Sequence, residues 1–236
     1  MADITLYTFG TPNGFKASIT LEELGLPYKA VEIDILKKEQ KQDWYLKINP
    51  NGAIPAILDG NQRVFESGAI MLYLTQKYDA EGKISYAPGT PEYTEQLSWL
   101  MLQVGGLGPM QSQAHHFRVF ANARSEYAIE RYYNETKRLY SVLDSRLKES
   151  PYLAGDKYTI ADIAHFVWTT VAPTILEIDI SEWPALKEWV ERIKQREGMK
   201  KGLGVPKSAF GAEEIAERVK KGRARIDAMT NTESQV

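Results

Sequence analysis

The segment Asn49–Tyr78 constrains the fold more than any other part of the chain, because it predicts two short strands, a tight turn and a helix. Ala56-Ile57-Leu58 predicts the first strand, and Asp59-Gly60-Asn61 is typical of a hairpin turn. Val64-Phe65 predicts the returning strand, and the apolar spacing that follows is that of a helix. The segment therefore predicts a compact ββα unit.

This unit brings three kinds of ligand-binding group to one corner. Pro55 stands at the start of the first strand, so we expect the backbone of Ile54 to be free to pair with an extended, peptide-like ligand. Ser67 is expected to cap the helix, whose free amides would bind an anion, and Glu66 beside it can hold an ammonium group. The corner fits a small zwitterionic peptide, although a simple cap and a carboxylate serving the helix dipole explain the same residues.

The segments before this unit complete a small α/β domain. Ile4–Phe9 predicts a strand, Phe15–Leu24 a helix that ends at Gly25, and Tyr28–Ile33 a second strand. The charged segment Leu36–Tyr45 is expected to be a loop or an irregular helix. The resulting order, βαβ followed by ββα, predicts a thioredoxin-like βαβββα domain.

The segment Asp79–Pro91 is rich in glycine and proline and predicts a linker, after which every periodic segment is helical. We expect a thioredoxin-like domain in 1–80, an all-helical domain in 91–200 and an extension in 201–236. The basic stretch of the extension is interpreted as a solvated helix. The predicted helices are Glu92–Gln113 with a kink at 105–109, Ser125–Lys148, Pro184–Arg196, and one that opens with a capping box at Thr159–Asp162.

Composition excludes several classes of function. The formal net charge of −2 argues against electrostatic binding to nucleic acid or a membrane surface. The chain has no cysteine, so thiol chemistry would have to use a sulfur from the ligand. His115 and His116 lack a nearby carboxylate or thiol partner, so no metal site is expected. Asp3 and Thr5 interrupt the N-terminal apolar residues, so no signal peptide is expected and the predicted location is cytoplasmic.

Several motifs carry a resemblance to a known family. Ile54-Pro55, with Glu66-Ser67 beginning eleven residues after the proline, resembles the glutathione-binding core of cytosolic glutathione transferases. Thr11–Lys16, Gln103–Met110 and His115–Phe117 are similar to segments of the nu-class enzymes and the related fungal nitrogen-regulator-like transferases. Such motifs are long enough to be specific.

The resemblance covers residues 3–200 and implies an activity. It implies a homodimeric, glutathione-dependent enzyme that uses glutathione as co-substrate and no other cofactor, with no nucleic-acid or membrane partner. Two reactions fit: thiol–disulfide exchange, which reduces a disulfide, and conjugation of glutathione to an electrophile, as in detoxification. The alternative is a non-catalytic regulatory or assembly module, because a fold does not fix its function.

Activation of the glutathione thiol is the chemical requirement. The thiol pKa is about 8.5, so a hydrogen-bond donor and a helix N-terminus would favour the thiolate at neutral pH. We expect Asn13 to supply the donor just ahead of a helix that begins near Gly14. The resemblance implies that Thr11 and Asn13 flank the ligand sulfur. Tyr7, at the end of the first strand, is the second candidate.

The resemblance also implies the remaining binding residues. Ile54 would pair with the cysteinyl backbone, and Glu66-Ser67 would hold the γ-glutamyl end. Gln40, with Lys41 as the alternative, would reach the glycine carboxylate, and Ala53 departs from the Lys or Arg that relatives often carry. Arg131 would reach the ligand from the partner subunit, unless it is an exposed helix residue paired with Glu135. The residues implied for the second-substrate pocket are Phe15, His115, His116 and Phe117.

Overall fold

The computed structural model describes residues 2–206 and 212–229 and has the predicted fold class, a thioredoxin-like domain followed by helices. The strands are β1 (Ile4–Thr8), β2 (Tyr28–Glu32), β3 (Ala56–Asp59) and β4 (Gln62–Phe65). They form one sheet in the order β2-β1-β3-β4. β2 runs parallel to β1, whereas β3 is antiparallel to both β1 and β4.

The helices differ in length and in winding. The α-helices are α1 (Pro12–Leu24), α2 (Asp43–Leu46), α3 (Ser67–Tyr78), α4 (Pro91–Leu102), α5 (Gly108–His115), α6 (Glu126–Glu149), α7 (Ile160–Thr169), α8 (Ala172–Leu176), α9 (Pro184–Lys194), α10 (Glu197–Gly202) and α11 (Ala212–Asp227). Glu39–Lys41 and Ile180–Glu182 are 3₁₀ turns, and Gln103–Leu107 and His116–Phe120 are π-helical. Within residues 2–206 and 212–229, no helix combines the length and the apolar character needed to cross a membrane.

The starts of α1 and α3 differ from the prediction. Thr11 caps α1, and its Oγ accepts a hydrogen bond from the Gly14 amide at 3.2 Å. Pro12 is the first helical residue, a position that suits its fixed φ, so Asn13 lies inside the helix and not ahead of it. The prediction of Ser67 as a cap is also wrong: Ser67 is the first residue of α3, and Glu66 holds the cap position.

The predicted kink after α4 is a change of helical winding. The π-helical segment Gln103–Leu107 joins α4 to α5, and Pro109 is the second residue of α5. Proline removes one amide donor and crowds the carbonyl four residues earlier, which disfavours regular α-helical bonding there. The wide turn carries the fully buried side chain of Gln103.

One hydrophobic core joins the sheet to the helical part. α1 lies between them and packs on α3, α7 and α10. The predicted capping box opens α7: the Thr159 amide donates to Asp162 Oδ2 at 2.9 Å, and the Trp189 indole donates to Asp162 Oδ1 at 2.9 Å. The box therefore ties the start of α7 to α9.

The α11 helix of the extension packs onto the helical part. Val219 and Ile226 of α11 are buried, and α11 packs on the second π-helical segment, His116–Phe120. Arg225 donates to the main-chain oxygens of Val119 and Ala121. The interpretation of the basic stretch as a solvated helix holds for most of α11, whose Arg218, Lys220 and Lys221 are exposed, and fails only on the face that carries Val219 and Ile226.

Candidate functional site

A cleft of about 190 Å³ lies between the thioredoxin-like domain and the helical part. Its walls come from the starts of α1 and α3 on one side, and from α5, α7 and the first π-helical segment on the other. The residues that line it include Asn13, Lys16, Glu66, Ser67, Gln103 and Trp168. Three of these, Asn13, Glu66 and Ser67, are predicted site residues.

Asn13 lines the cleft, and the oxygen of its side-chain amide is held by a hydrogen bond. The Trp168 indole N–H donates to Asn13 Oδ1 at 3.1 Å. No hydrogen bond within the described residues uses Asn13 Nδ2, so the amide NH₂ is left as a donor for a ligand. Its place in the first turn of α1 adds the favourable end of the helix dipole for a negative charge.

Trp168 is itself fixed by its neighbours. Its ring stacks on the buried His115 ring, with 5.8 Å between centroids and 23° between planes. Gln111 donates to the Trp168 carbonyl at 2.7 Å and accepts from the Tyr140 hydroxyl at 2.9 Å. Burial lowers the pKa of His115 to about 4, so this ring is neutral near pH 7. Trp168 could not be predicted from the sequence, because it lies 155 residues from Asn13.

The junction of β4 and α3 forms the opposite side of the cleft. Glu66 has φ of 70° and ψ of 122°, a left-handed region that costs a non-glycine residue about 1–3 kcal/mol. This backbone conformation leads directly into α3, where the first amides, including those of Ser67 and Gly68, lack intrahelical acceptors. Asn51 Nδ2 lies 3.4 Å from Glu66 Oε1. The corner offers amide donors and a carboxylate side by side.

Lys16 lies beneath this corner and was not predicted as a site residue. Its side chain is 2% exposed, and its Nζ is 2.5 Å from Gln103 Oε1 and 3.4 Å from Ser67 Oγ. Burial lowers the pKa of Lys16 to about 7, an effect that Glu66 partly offsets. Gln103 Nε2 is buried and has no hydrogen-bond partner in the described part of the chain.

The backbone of Ile54 is available in the way the sequence predicts. The Ile54–Pro55 peptide bond is cis, and β3 begins one residue later, at Ala56. The preceding carbonyl, of Ala53, accepts from Asn49 Nδ2 at 2.7 Å and from the Tyr45 hydroxyl at 2.8 Å, which fixes the turn. In the described residues, no hydrogen bond engages the N–H or C=O of Ile54.

Gln40 and Lys41 lie on the 3₁₀ turn that flanks the Glu66 side of the site. Lys41 Nζ donates to the Asn51 carbonyl at 3.2 Å, and Asn51 also reaches Glu66. Gln40 Oε1 is buried without a hydrogen-bond partner among the described residues. These contacts place the turn next to the corner, and neither side chain lines the cleft itself.

The other predicted residues lie outside the cleft. Tyr7 packs 6.2 Å from the rings of Trp44 and Tyr45, on the opposite face of β1 from the buried Leu6. Arg131 is exposed on α6, where it contacts the Tyr127 hydroxyl at 3.4 Å. Glu135 forms its ion pair with Arg138, which lowers the pKa of this carboxyl most, and the charge of Arg131 lowers it further, so the alternative pairing with Arg131 is present only as a weaker electrostatic interaction.

None of the four residues predicted for the second-substrate pocket lines the cleft. Phe117 stacks on Tyr132 at 5.7 Å and belongs to the cluster that packs around Ile226 of α11. His116 is exposed and lies against Phe117, whereas Phe15 packs against the main core. His115 contributes to the cleft indirectly, because its ring stacks on Trp168, which lines the cleft.

Comparisons with known proteins cover both parts of the chain. The family "Glutathione S-transferase, N-terminal domain" matches residues 2–76, and "Glutathione S-transferase, C-terminal domain" matches 107–197. The disulfide-bond oxidoreductase YfcG of Escherichia coli is 46% identical over 200 residues, which cover 82% of this chain and 91% of that protein.

Two solved structures share the arrangement of sheet and helices over most of the chain. A glutathione transferase homologue from Lodderomyces elongisporus, with two GSH per subunit, aligns with a TM-score of 0.84 and 43% identity over 87% of this chain and 100% of that one. The transferase URE2P6 from Phanerochaete chrysosporium, in complex with oxidized glutathione, aligns with a TM-score of 0.82 and 40% identity over 92% of this chain and 98% of that one.

Proposed function

Because the chain belongs to the glutathione S-transferase family, we propose that its cleft binds glutathione or glutathione disulfide and that the protein is a glutathione-dependent enzyme. Its reactions are thiol–disulfide exchange and conjugation of glutathione to an electrophile. The observation that carries the proposal is the free amide donor of Asn13, held by Trp168 in the same cleft as the amides of α3.

The site has a group for each part of the ligand. The amides at the start of α3 and the Ser67 hydroxyl would bind the γ-glutamyl carboxylate, and Glu66 would bind the ammonium group. Ile54 would pair with the cysteinyl backbone, and Gln40 or Lys41 would reach the glycine carboxylate. The sulfur would then lie between Asn13 and the cap of α1.

Disulfide reduction needs two glutathione molecules because the protein has no cysteine. One glutathione thiolate attacks a sulfur of the substrate disulfide and displaces the other sulfur as a thiolate, which takes up a proton. A second glutathione thiolate attacks the mixed disulfide, forms glutathione disulfide and releases the second substrate thiol. Asn13 would stabilise the attacking thiolate by hydrogen bonding. The relatives with two GSH or with oxidized glutathione support a site of this capacity.

The proposal is tested by measuring the activity of the purified protein with glutathione and either a disulfide substrate or a model aryl halide. We expect turnover of at least one, and Asn13→Ala should lower kcat/KM about a hundredfold while keeping the fold, because it removes one positioned donor. Tyr7→Phe is the matched control and should remain active. Loss of activity in Tyr7→Phe, with Asn13→Ala unaffected, would transfer the role to Tyr7. Binding without turnover of either substrate would favour the non-catalytic module.

A homodimer with a shared site is the second part of the proposal. Arg131 is exposed and forms no ion pair within the described residues, so its guanidinium is available to carboxylates of a ligand bound to the partner. Two exposed apolar side chains, Phe65 and Met101, offer surface for subunit contact. Arg131 would also supply a positive charge near the ligand, which position 53 does not provide because it is alanine.

Mixed dimers test this sharing. Subunits with Arg131→Ala are combined with subunits with Asn13→Ala, each inactive as a pure dimer. If Arg131 acts across the interface, each heterodimer has one intact site, and activity partly returns. If it acts within its own subunit, every site carries one lesion, and the continued absence of activity would reject the shared site.

The cytoplasm is the proposed location, because both reactions consume reduced glutathione and the cytosol maintains that pool. Cell fractionation with an antibody against the protein tests this location. Recovery of the protein in a membrane or secreted fraction would contradict it.

A further inference from the structure

We propose that Lys16 and Gln103 form a buried floor under the ligand carboxylate at the start of α3, and that Lys16 takes up a proton when the carboxylate binds. This role rests on the proposed function and extends it to a residue and a linked proton. It predicts that binding affinity and proton uptake change together when Lys16 is replaced.

The geometry brings three separate elements to this floor. Lys16 from α1 lies between Ser67 Oγ of α3 and Gln103 Oε1 of the first π-helical segment. Ser67 is the first residue of the twelve-residue α3 and contributes one of its free amides, so the Lys16 ammonium lies next to an anion-binding helix end. Gln103 Nε2 is fully buried and unpartnered in the described chain, although it lines the cleft. A buried donor without an acceptor is costly, and a ligand oxygen would satisfy it.

The charges around Lys16 leave it short of negative partners. Glu66, at the junction before α3, is the acidic group that acts on it. His165 of α7 also senses the charge of Lys16, but burial lowers the pKa of His165 to about 3, so this histidine is neutral. The two hydrogen-bond acceptors, on Ser67 and Gln103, are uncharged.

A bound carboxylate would change this balance. Buried without a full counter-charge, Lys16 has a pKa of about 7 and is about half protonated at that pH. A carboxylate at the start of α3 supplies a negative charge within the same dry pocket, which raises the pKa of the ammonium. Binding at pH 7 is therefore coupled to uptake of up to about half a proton per site. A lysine that merely fills space would not produce this uptake.

Isothermal titration calorimetry measures the uptake. Glutathione disulfide is the probe, because it has carboxylates and no thiol that could release a proton. Titrations in two buffers of different ionisation enthalpy give the protons bound, first at pH 7 and then at pH 5.5, where Lys16 is already charged. We expect uptake at pH 7 that falls close to zero at pH 5.5.

Variants assign the uptake to this lysine. Lys16→Met keeps the aliphatic stem without the charge and should raise Kd about ten- to a hundredfold, as expected for a lost hydrogen bond to a charged group. It should also abolish the difference in proton uptake between the two pH values. Lys29→Met, on the exposed side of β2, is the matched control and should change neither quantity.

The possible outcomes separate the two proposals. Equal uptake by the wild type at both pH values would overturn the role of Lys16, and this result stands even where Lys16→Met does not fold. Unchanged Kd and uptake in a folded Lys16→Met protein would overturn it as well. Failure of the wild type to bind either glutathione or its disulfide would instead overturn the proposed function, and the inference would fall with it.

Discussion

Replacement of Trp168 with phenylalanine tests whether the indole holds Asn13 for catalysis. The change removes the 3.1 Å hydrogen bond to Asn13 Oδ1 and leaves an aromatic ring to stack on His115. A neutral hydrogen bond contributes about 0.5–1.5 kcal/mol to holding the Asn13 amide in its productive orientation. Its loss corresponds to a reaction rate that is about two- to tenfold lower. We expect kcat/KM to fall by about that factor, well below the loss expected from Asn13→Ala.

A double-mutant cycle separates positioning from general damage. Steady-state kinetics of the wild type, Asn13→Ala, Trp168→Phe and the double variant give the coupling energy between the two side chains. If the indole acts only through the amide, Trp168→Phe costs nothing further once Asn13 is absent. The pH dependence of kcat/KM should also shift, with the thiol pKa raised by about 0.5–1 unit in the single variant.

Two results would refute this reasoning. Additive losses in the double variant would mean that Trp168 acts independently of Asn13. An unchanged thiol pKa, combined with a lowered melting temperature, would mean that the indole supports the fold and not the donor.

Three further outcomes follow from the structure. Thr159→Ala should lower the free energy of unfolding by about 1 kcal/mol without changing kcat of the folded protein, as urea unfolding and kinetics would show. Lys16 has a folded pKa of about 7 against 10.5 for a free lysine, so the unfolded chain binds more protons between these values. Urea unfolding without ligand should show stability rising with pH through that window by up to about 1.4 kcal/mol per unit, and Lys16→Met should lose this rise. Ile226→Ala should release α11 and accelerate its hydrogen exchange at least about tenfold, with the sheet unaffected.

The parts of the fold with local signals were predictable from the sequence. The hairpin follows from Asp59-Gly60-Asn61, and Gly60 indeed has a positive φ of 57°. The end of α1 follows from Gly25, which has a φ of 65°. The capping box at Thr159 was equally predictable, because the residues that form it lie within one helical turn. Each of these features depends on residues next to one another in the chain.

The parts of the site that depend on distant contacts were not predictable. Lys16 is a charged residue in an amphipathic helix, and only the packing of α3 and the π-helical segment against it makes it buried. Trp168 looks like any core aromatic until the fold brings it to Asn13. The packing of Phe117 could not be predicted for the same reason, because it depends on Ile226 of α11, more than a hundred residues further along the chain.

The wide turn at Gln103–Leu107 amounts to one residue more than an α-helix of the same span would hold. A single deletion at Gly105 or Gly106 would therefore remove the extra residue of this turn, although Pro109 would still interrupt the backbone hydrogen bonds that follow it. One residue corresponds to a rotation of about 100° and a rise of about 1.5 Å, so α5 would turn relative to Gln103, and the hydrogen bond of Gln103 to Lys16 and the packing of α5 could no longer both be kept. In a lineage of such proteins, the gain or loss of one codon could switch this bond between the two domains on or off. A one-residue deletion variant that stays folded and still binds glutathione disulfide as tightly as the wild type would show that the turn has no such effect.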